Sequence, residues 1–204
     1  MSDIKTIVFD LGGVLIDWNP RYVYRTIFEE EEKVEWFLTK VCSMDWNEAQ
    51  DGGRSITEAN EILIAKFPEY KKEILAYYER WEEMLAGANE DVVDILKKIR
   101  DNPKYRIYAL TNWSAETFPV ALERFGFLKW FEGILVSGKE NLKKPDPAIY
   151  DLLIKRYQIT AANAIFIDDN QRNVDSSNKY GLPAIRFETS EKLSKDLIDL
   201  GVEL

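Results

Sequence analysis

The sequence predicts an α/β protein: a Rossmann-like parallel sheet with helices on both faces, interrupted once by a helical insertion. Three features carry that expectation. A short β-branched apolar run opens the chain, strand-like and helix-like stretches alternate after Gly87, and about 70 residues between them keep helical periodicity without a strand signal.

The first run, Lys5 to Phe9, stops at Asp10 and the Gly12-Gly13 pair, as a buried strand does when it ends in a tight turn. From Asn19-Pro20 to about Ala86 the pattern is helical. Asn19 before Pro20 makes a cap and first-turn pair, Ser55 and Glu58 form a capping box, and Tyr70, Ile74, Tyr77, Tyr78, Trp81 and Leu85 share one helical face. The Glu29–Glu32 run fits a solvated helix face.

Beyond Gly87, strands are expected at Tyr105–Leu110, Gly133–Val136, Ala164–Ile167 and Ala184–Phe187. Helices are expected near 90–100, 115–125, 147–157, 173–180 and 190–200. Such alternation gives parallel strands joined by right-handed crossovers, and the first strand belongs with them. The expected division is a core of residues 1–16 plus 88–204 and an inserted helical unit over 17–87.

Composition narrows the chemistry. With 204 residues, 46% hydrophobic and 31% charged, the chain is ordinary globular material, one generous domain or one domain with an insertion. A net charge of −9 repels a phosphate backbone, so nucleic acid is not an expected partner. No apolar run approaches the roughly 18 to 20 residues that span a bilayer, and the N-terminus lacks a signal-peptide layout. No membrane association is expected, the cytoplasm is the expected compartment, and no obligate protein partner is evident. The single cysteine, Cys42, agrees with a reducing compartment and reads as a small buried hydrophobe.

The chain contains no histidine. That excludes Ser-His-Asp and Cys-His nucleophiles, phosphohistidine chemistry and imidazole-bound zinc. A Cys-x5-Arg phosphatase loop at Cys42 fails too, because Glu48 occupies the arginine position.

In open parallel sheets, ligands bind beyond the carboxyl ends of the strands. The residues there are Asp10, then Thr111-Asn112, then Lys143-Lys144-Pro145-Asp146, then Asp168-Asp169-Asn170. Acidic groups at two neighbouring strand ends repel unless a cation or proton lies between them, and oxygen ligands without imidazole or thiol favour a hard ion such as Mg²⁺. With Lys144 opposite, such a site suits a phosphoryl group, and one carboxylate is free to attack phosphorus. Asp146-Pro147 reads as a helix cap, Lys143 as an exposed neighbour, and Trp18, Trp36, Trp46, Trp81 and Trp113 as mostly core.

Ile-Val-Phe-Asp10-Leu-Gly12-Gly13-Val-Leu, Ala-Leu-Thr111-Asn112, Lys144-Pro145-Asp146 and Ile-Phe-Ile-Asp168-Asp169-Asn170 together resemble motifs one to four of the haloacid dehalogenase-like (HAD) superfamily. Their order and spacing match over essentially the whole chain, and the insertion lies where that superfamily carries its C1 cap. The resemblance implies a hydrolase acting on a small phosphorylated metabolite. Asp10 would be the nucleophile, phosphorylated in passing, and would ligate Mg²⁺ through its other oxygen. Thr111, helped by Asn112, would hydrogen-bond the phosphoryl oxygens, and Lys144 would neutralise nucleophile and phosphate. Asp169 would be the second carboxylate on the metal and Asp168 an additional or water-mediated one, with the backbone carbonyl of Gly12 a further ligand. Asn173, where many relatives carry an acid, would reach the metal only indirectly.

One position departs from the superfamily's phosphatases, which carry a second aspartate two residues after the nucleophile as general acid and base. Here that position is Gly12. Losing such a group costs about 10² to 10⁴ in rate, roughly 3 to 5 kcal/mol. Three functions stay open. The Asp-Leu-Gly opening with Asp17 and the paired aspartates resembles the subgroup containing α-D-glucose 1-phosphate phosphatase, where the leaving group needs less protonation and Asp17 or a cap-held water would assist. A haloacid dehalogenase would use Asp10 on carbon and need neither acid nor metal. A catalytically weak, phosphate-dependent binding protein is the third.

Overall fold

The computed structural model describes residues 3–204; residues 1 and 2 of the expected core lie outside them. β1 (Thr6–Phe9) leads through a tight turn into β2 (Ile16–Trp18). Five helices follow: α1 (Arg21–Ile27), α2 (Glu31–Lys40), α3 (Met44–Asp51), α4 (Ile56–Lys66) and α5 (Lys71–Glu79). A 3-10 turn, Trp81–Met84, returns the chain to β3 (Leu85–Ala88). From there the elements alternate: α6 (Glu90–Asp101), β4 (Arg106–Thr111), α7 (Phe118–Arg124), β5 (Gly133–Val136), α8 (Ser137–Glu140), α9 (Pro147–Tyr157), β6 (Ala164–Asp168), α10 (Gln171–Tyr180), β7 (Ala184–Arg186) and α11 (Ser190–Asp199).

Five strands form one parallel sheet in the order β5-β4-β1-β6-β7. The residues of the three central strands, β4, β1 and β6, are nearly all buried, as expected of strands covered on both faces, while those of the edge strands β5 and β7 are partly exposed. Side chains alternate between two cores: Ile7, Phe9, Ile107, Ala109, Ile165 and Ile167 face one, with Leu96 and Ile99 of α6 and Leu193 and Leu197 of α11. Val8, Tyr108, Leu110, Leu135 and Phe166 face the other, with Ile149, Tyr150 and Leu153 of α9. α6 shows why such a helix forms. Val92, Ile95, Leu96 and Ile99 recur at helical spacing and are buried, while Glu90 and Asp91 in the first turn and Lys98 and Arg100 in the last complement the helix dipole.

The register sets the site. Phe9 lies opposite Ala109 on one side and Ile167 on the other, so the carboxyl ends of the three central strands come out level. Asp10, Thr111 and Asp168 therefore emerge side by side from three separate parts of the chain.

The insertion holds a feature that the helical pattern does not predict. β2 and β3 pair antiparallel, Ile16 opposite Ala88 and Asp17 opposite Gly87, so the chain leaves and re-enters the core through one two-stranded ribbon. Two helices between are capped as the sequence suggests, Asn19 Oδ1 accepting from the Arg21 N–H and Ser55 from the Glu58 N–H, and Ser43 adds a third cap by accepting from the Trp46 N–H. Glu29–Glu32 is exposed. Of the five tryptophans expected in the core, Trp36 is 37% exposed and the others are more enclosed. No helix among the described residues is long and apolar enough to cross a membrane.

Candidate active site

The turn after β1 is wound tightly around the Leu11 carbonyl, which accepts from the N–H groups of Val14, Leu15 and Ile16. Its own N–H donates to Asp10 Oδ1 at 2.8 Å and fixes one carboxylate oxygen. Gly13 has φ +74°, and a Cβ there would stand 2.5 Å from Asp169 Oδ2. Glycine is needed twice over, for the left-handed backbone and for the close approach of a carboxylate.

Lys144 is almost wholly enclosed, with 1% exposure. Its ammonium contacts Asp168 Oδ2 at 2.7 Å, Asp10 Oδ2 at 2.9 Å and the Leu110 carbonyl at 3.0 Å. Burial works against the charge, but Asp10 and Asp168 outweigh it and hold the Lys144 pKa above the usual lysine range. Asp168 has no free capacity left toward the protein interior: it also accepts from the Asn170 N–H and, with both oxygens, from Asn173 Nδ2. Asn173 thus orients Asp168.

Asn112, expected to help bind the phosphoryl group, lines the crevice and also acts on Lys144. Its carboxamide donates to the Lys144 carbonyl and accepts from the Lys144 N–H, both at 2.9 Å. The side chain clamps the backbone that carries the lysine. Thr111 Oγ1, by contrast, is buried without a hydrogen-bond partner, a costly state for a hydroxyl that no ligand uses.

Asp10, Asp168 and Asp169 each offer an oxygen within 4.8 Å of the others. One ammonium serves these three carboxylates. Burial raises the Asp10 pKa most, with Asp168 and Asp169 adding to it against the pull of Lys144. Burial and Asp168 likewise raise Asp169, with Lys144 and Arg186 pulling it down. An oxygen-only donor set short of positive charge fits a hard divalent cation.

These groups open into a crevice of about 320 Å³ whose opposite wall comes from the insertion. Gly12, Gly13, Asn112, Trp113 and Asn173 line it from the sheet side, and Trp18, Met44, Asn47, Glu48, Asp51 and Trp81 from the other. Asp17 is not among them. Strand alternation turns it outward, where it is exposed and accepts from the Tyr22 hydroxyl at 2.8 Å, while its neighbour Trp18 faces in. Lys143 is also more than an exposed neighbour: it pairs with Glu48 at 2.6 Å across the gap between core and insertion.

Asp51 is the acidic group that the sequence motifs do not reveal. It is 9% exposed, its carbonyl accepts from Ser137 Oγ at 2.5 Å, and Ser137 Oγ in turn accepts from the Trp113 N–H at 2.9 Å. One sequence signal points to it. An aspartate in the last helical position before Gly52-Gly53 opposes the helix dipole, an arrangement without local benefit. The following Gly53, at φ +103°, packs so tightly on Asn141 that a side chain there would collide with it.

The model of the haloacid dehalogenase-like hydrolase family matches residues 4–181. The chain is 25% identical over 189 residues to a sesquiterpene phosphatase of Aspergillus oryzae, covering 93% of this chain and 92% of that protein. It is 23% identical over 186 residues to a phosphorylated carbohydrates phosphatase of Thermotoga maritima, covering 89% and 84%. A HAD family enzyme of Bacteroides thetaiotaomicron, solved with magnesium and inorganic phosphate, superposes with a TM-score of 0.66 at 21% identity, over 91% of this chain and 94% of that one. With Asp10, Thr111 and Asp168 at neighbouring strand ends and Lys144 reaching between the carboxylates, the chain belongs to the haloacid dehalogenase-like hydrolases.

Proposed function

We propose that this protein is a Mg²⁺-dependent phosphatase that hydrolyses a small phosphate monoester through an aspartyl-phosphate on Asp10. The observation that carries the proposal is the Lys144 ammonium held between Asp10 and Asp168, with Asp169 beside them. Three carboxylates against one ammonium leave the site short of positive charge, so a divalent cation beside Lys144 would be what lets a dianionic phosphoryl group approach, and the nucleophile is already fixed by the Leu11 N–H.

In the first step an Asp10 oxygen attacks phosphorus, the bond from phosphorus to the leaving oxygen breaks, and that oxygen takes a proton. In the second, water attacks the same phosphorus, loses a proton, and the Asp10–phosphorus bond breaks to release inorganic phosphate. Lys144 neutralises the nucleophile and the phosphoryl oxygens throughout, Thr111 Oγ1 donates to one of those oxygens, and Asn112 keeps Lys144 in place. Asp10, Asp169 and the Gly12 carbonyl would hold Mg²⁺, with Asp168, committed to Lys144 and Asn173, contributing through water. What such an ion supplies is charge neutralisation, which lets two anions approach.

The insertion, over 17–87, acts as a cap that closes the crevice against bulk water. A volume near 320 Å³ suits a small metabolite, and the Trp18, Trp81 and Trp113 faces suit the C–H face of a sugar, so a sugar phosphate is the favoured class. The two phosphatase relatives, one for sesquiterpenes and one for phosphorylated carbohydrates, keep prenyl phosphates in the comparison. A dehalogenase would leave three clustered carboxylates sharing one lysine to no purpose, which counts against that chemistry.

A panel of sugar, prenyl and simple alkyl phosphates, assayed with Mg²⁺ and with chelator, tests the proposal. Turnover should require Mg²⁺, should vanish in Asp10→Asn, and in heavy-oxygen water should label the released phosphate. Label appearing in the Asp10 carboxyl group during turnover of a 2-haloacid, or undiminished activity in Asp10→Asn, would overturn it.

A further inference from the structure

We infer that Asp51, reaching the crevice from the insertion, is the general acid and base that the turn at Gly12 lacks. The inference rests on the phosphatase function proposed above and names the group that moves its protons. Elimination is the first argument. The titratable side chains lining the crevice are Asp10, Asp169, Glu48 and Asp51. Asp10 is the nucleophile, Asp169 belongs to the cation site, and Glu48 is taken up in its ion pair with Lys143. Asp17 points away. Among the described residues that leaves Asp51, whose Oδ2 accepts only a long 3.4 Å bond from Asn47 Nδ2, for proton transfer.

Placement is the second argument. Ser137 Oγ bridges the Asp51 carbonyl to the Trp113 N–H, two residues beyond Thr111, so the main chain at Asp51 is tied to the strand end that would bind the phosphoryl group. Across the crevice, a Cβ at Gly12 would meet nothing within 4 Å. The space beside the Gly12 α-carbon is open, and a leaving group in that crevice, which Asp51 also lines, can be met from the insertion side.

The electrostatics agree. Burial raises the Asp51 pKa most and Glu48 adds to it; Lys143, Lys144 and the Ser114 N–H pull the other way; the nearby Tyr77 and Tyr78 stay neutral. The balance is a pKa pushed up to about 7, where a carboxyl group can both give and take a proton near neutral pH. In the first step the Asp51 proton passes to the leaving oxygen as its bond to phosphorus breaks. In the second, the Asp51 carboxylate takes a proton from the water that attacks phosphorus from that same side, and the acid form is restored.

The test compares the wild type, Asp51→Asn and Asp51→Asn with Gly12→Asp, in Mg²⁺, on p-nitrophenyl phosphate and on an alkyl phosphate. p-Nitrophenolate leaves without a proton. Asp51→Asn should therefore release about one p-nitrophenolate per site in a rapid burst followed by slow turnover, while its phosphorylation by the alkyl phosphate falls by about 10² to 10⁴. Gly12→Asp should restore part of the lost rate. In the wild type, kcat/KM for the alkyl phosphate should fall above about pH 7 and that for p-nitrophenyl phosphate should not, a readout that needs no variant to fold. Equal losses on both substrates in the phosphorylation step, undiminished alkyl phosphate hydrolysis, or identical wild-type pH profiles would overturn the assignment. Wild-type enzyme that turns over no monoester would instead overturn the phosphatase proposal itself.

Discussion

At the scale of single residues, the site depends on how each buried charge is compensated. Lys144 is tolerable in the interior because two carboxylates and a carbonyl surround it; without them a buried ammonium would cost several kcal/mol. Asp51 is the opposite case, a carboxyl group that burial keeps protonated. It holds its proton in the fold up to about pH 7, whereas an unfolded aspartate releases it near ~4. Folding therefore takes up a proton between those values. The stability linked to Asp51 is complete below about pH 4 and drains away as pH rises through about 7. Asp51→Asn removes that loss and should make the protein more stable at pH 8, by about 2 to 4 kcal/mol, in urea unfolding followed at pH 5 and pH 8. A carboxylate kept only to hold the helix end would give a less stable variant at both pH values. The motif aspartates were legible in the sequence because each follows an apolar strand directly. Asp51 was not, because its neighbours in the chain say nothing about Ser137 or Trp113.

Among the elements, the turn between β1 and β2 has the narrowest tolerance. Gly13 must adopt a positive φ while Asp169, from the end of β6, packs against its α-carbon. Gly13→Ala should cost about 1 to 2 kcal/mol in unfolding experiments. It should also weaken Mg²⁺ binding by calorimetric titration, since Asp169 must move aside. The five strands of the main sheet and the helices after Gly87 other than the short α8 are readable from local pattern. β2 and β3 were not. Ile16–Trp18 is three residues long, and Leu85-Ala86-Gly87-Ala88 lacks the β-branched residues that mark a strand, so neither shows a pattern without its partner. That ribbon decides the Asp17 question: pairing fixes the alternation, which sends Trp18 into the crevice and Asp17 out to Tyr22.

At the scale of the whole molecule, the crevice exists only because the insertion is fastened over the sheet. Lys143 to Glu48, Ser137 to Asp51, the Ile56 N–H to Glu116 and Arg124 to the Glu82 carbonyl all cross between the two parts. The Lys143–Glu48 pair is partly exposed, so its worth to global stability is small, about 1 kcal/mol or less. Its worth to cap closure is expected to be larger in effect. Glu48→Gln should lower kcat/KM several-fold, mainly through KM, while shifting the thermal midpoint by only a few degrees. Steady-state kinetics beside thermal unfolding would check it, and added salt should reproduce part of the change in the wild-type protein.

Local sequence pattern was enough for the α/β class, the strands of the parallel sheet and the residues Asp10, Thr111, Asp168 and Asp169 at strand ends. All of these follow from patterns a few residues long. Only the tertiary structure decided that Asn112 clamps Lys144, that Asp17 faces away and that Asp51 enters the crevice. Each of those depends on packing between segments far apart in the chain, 51 against 137 and 112 against 144. Local periodicity carries no information about such distances, whereas the three-dimensional register of sheet and insertion sets them.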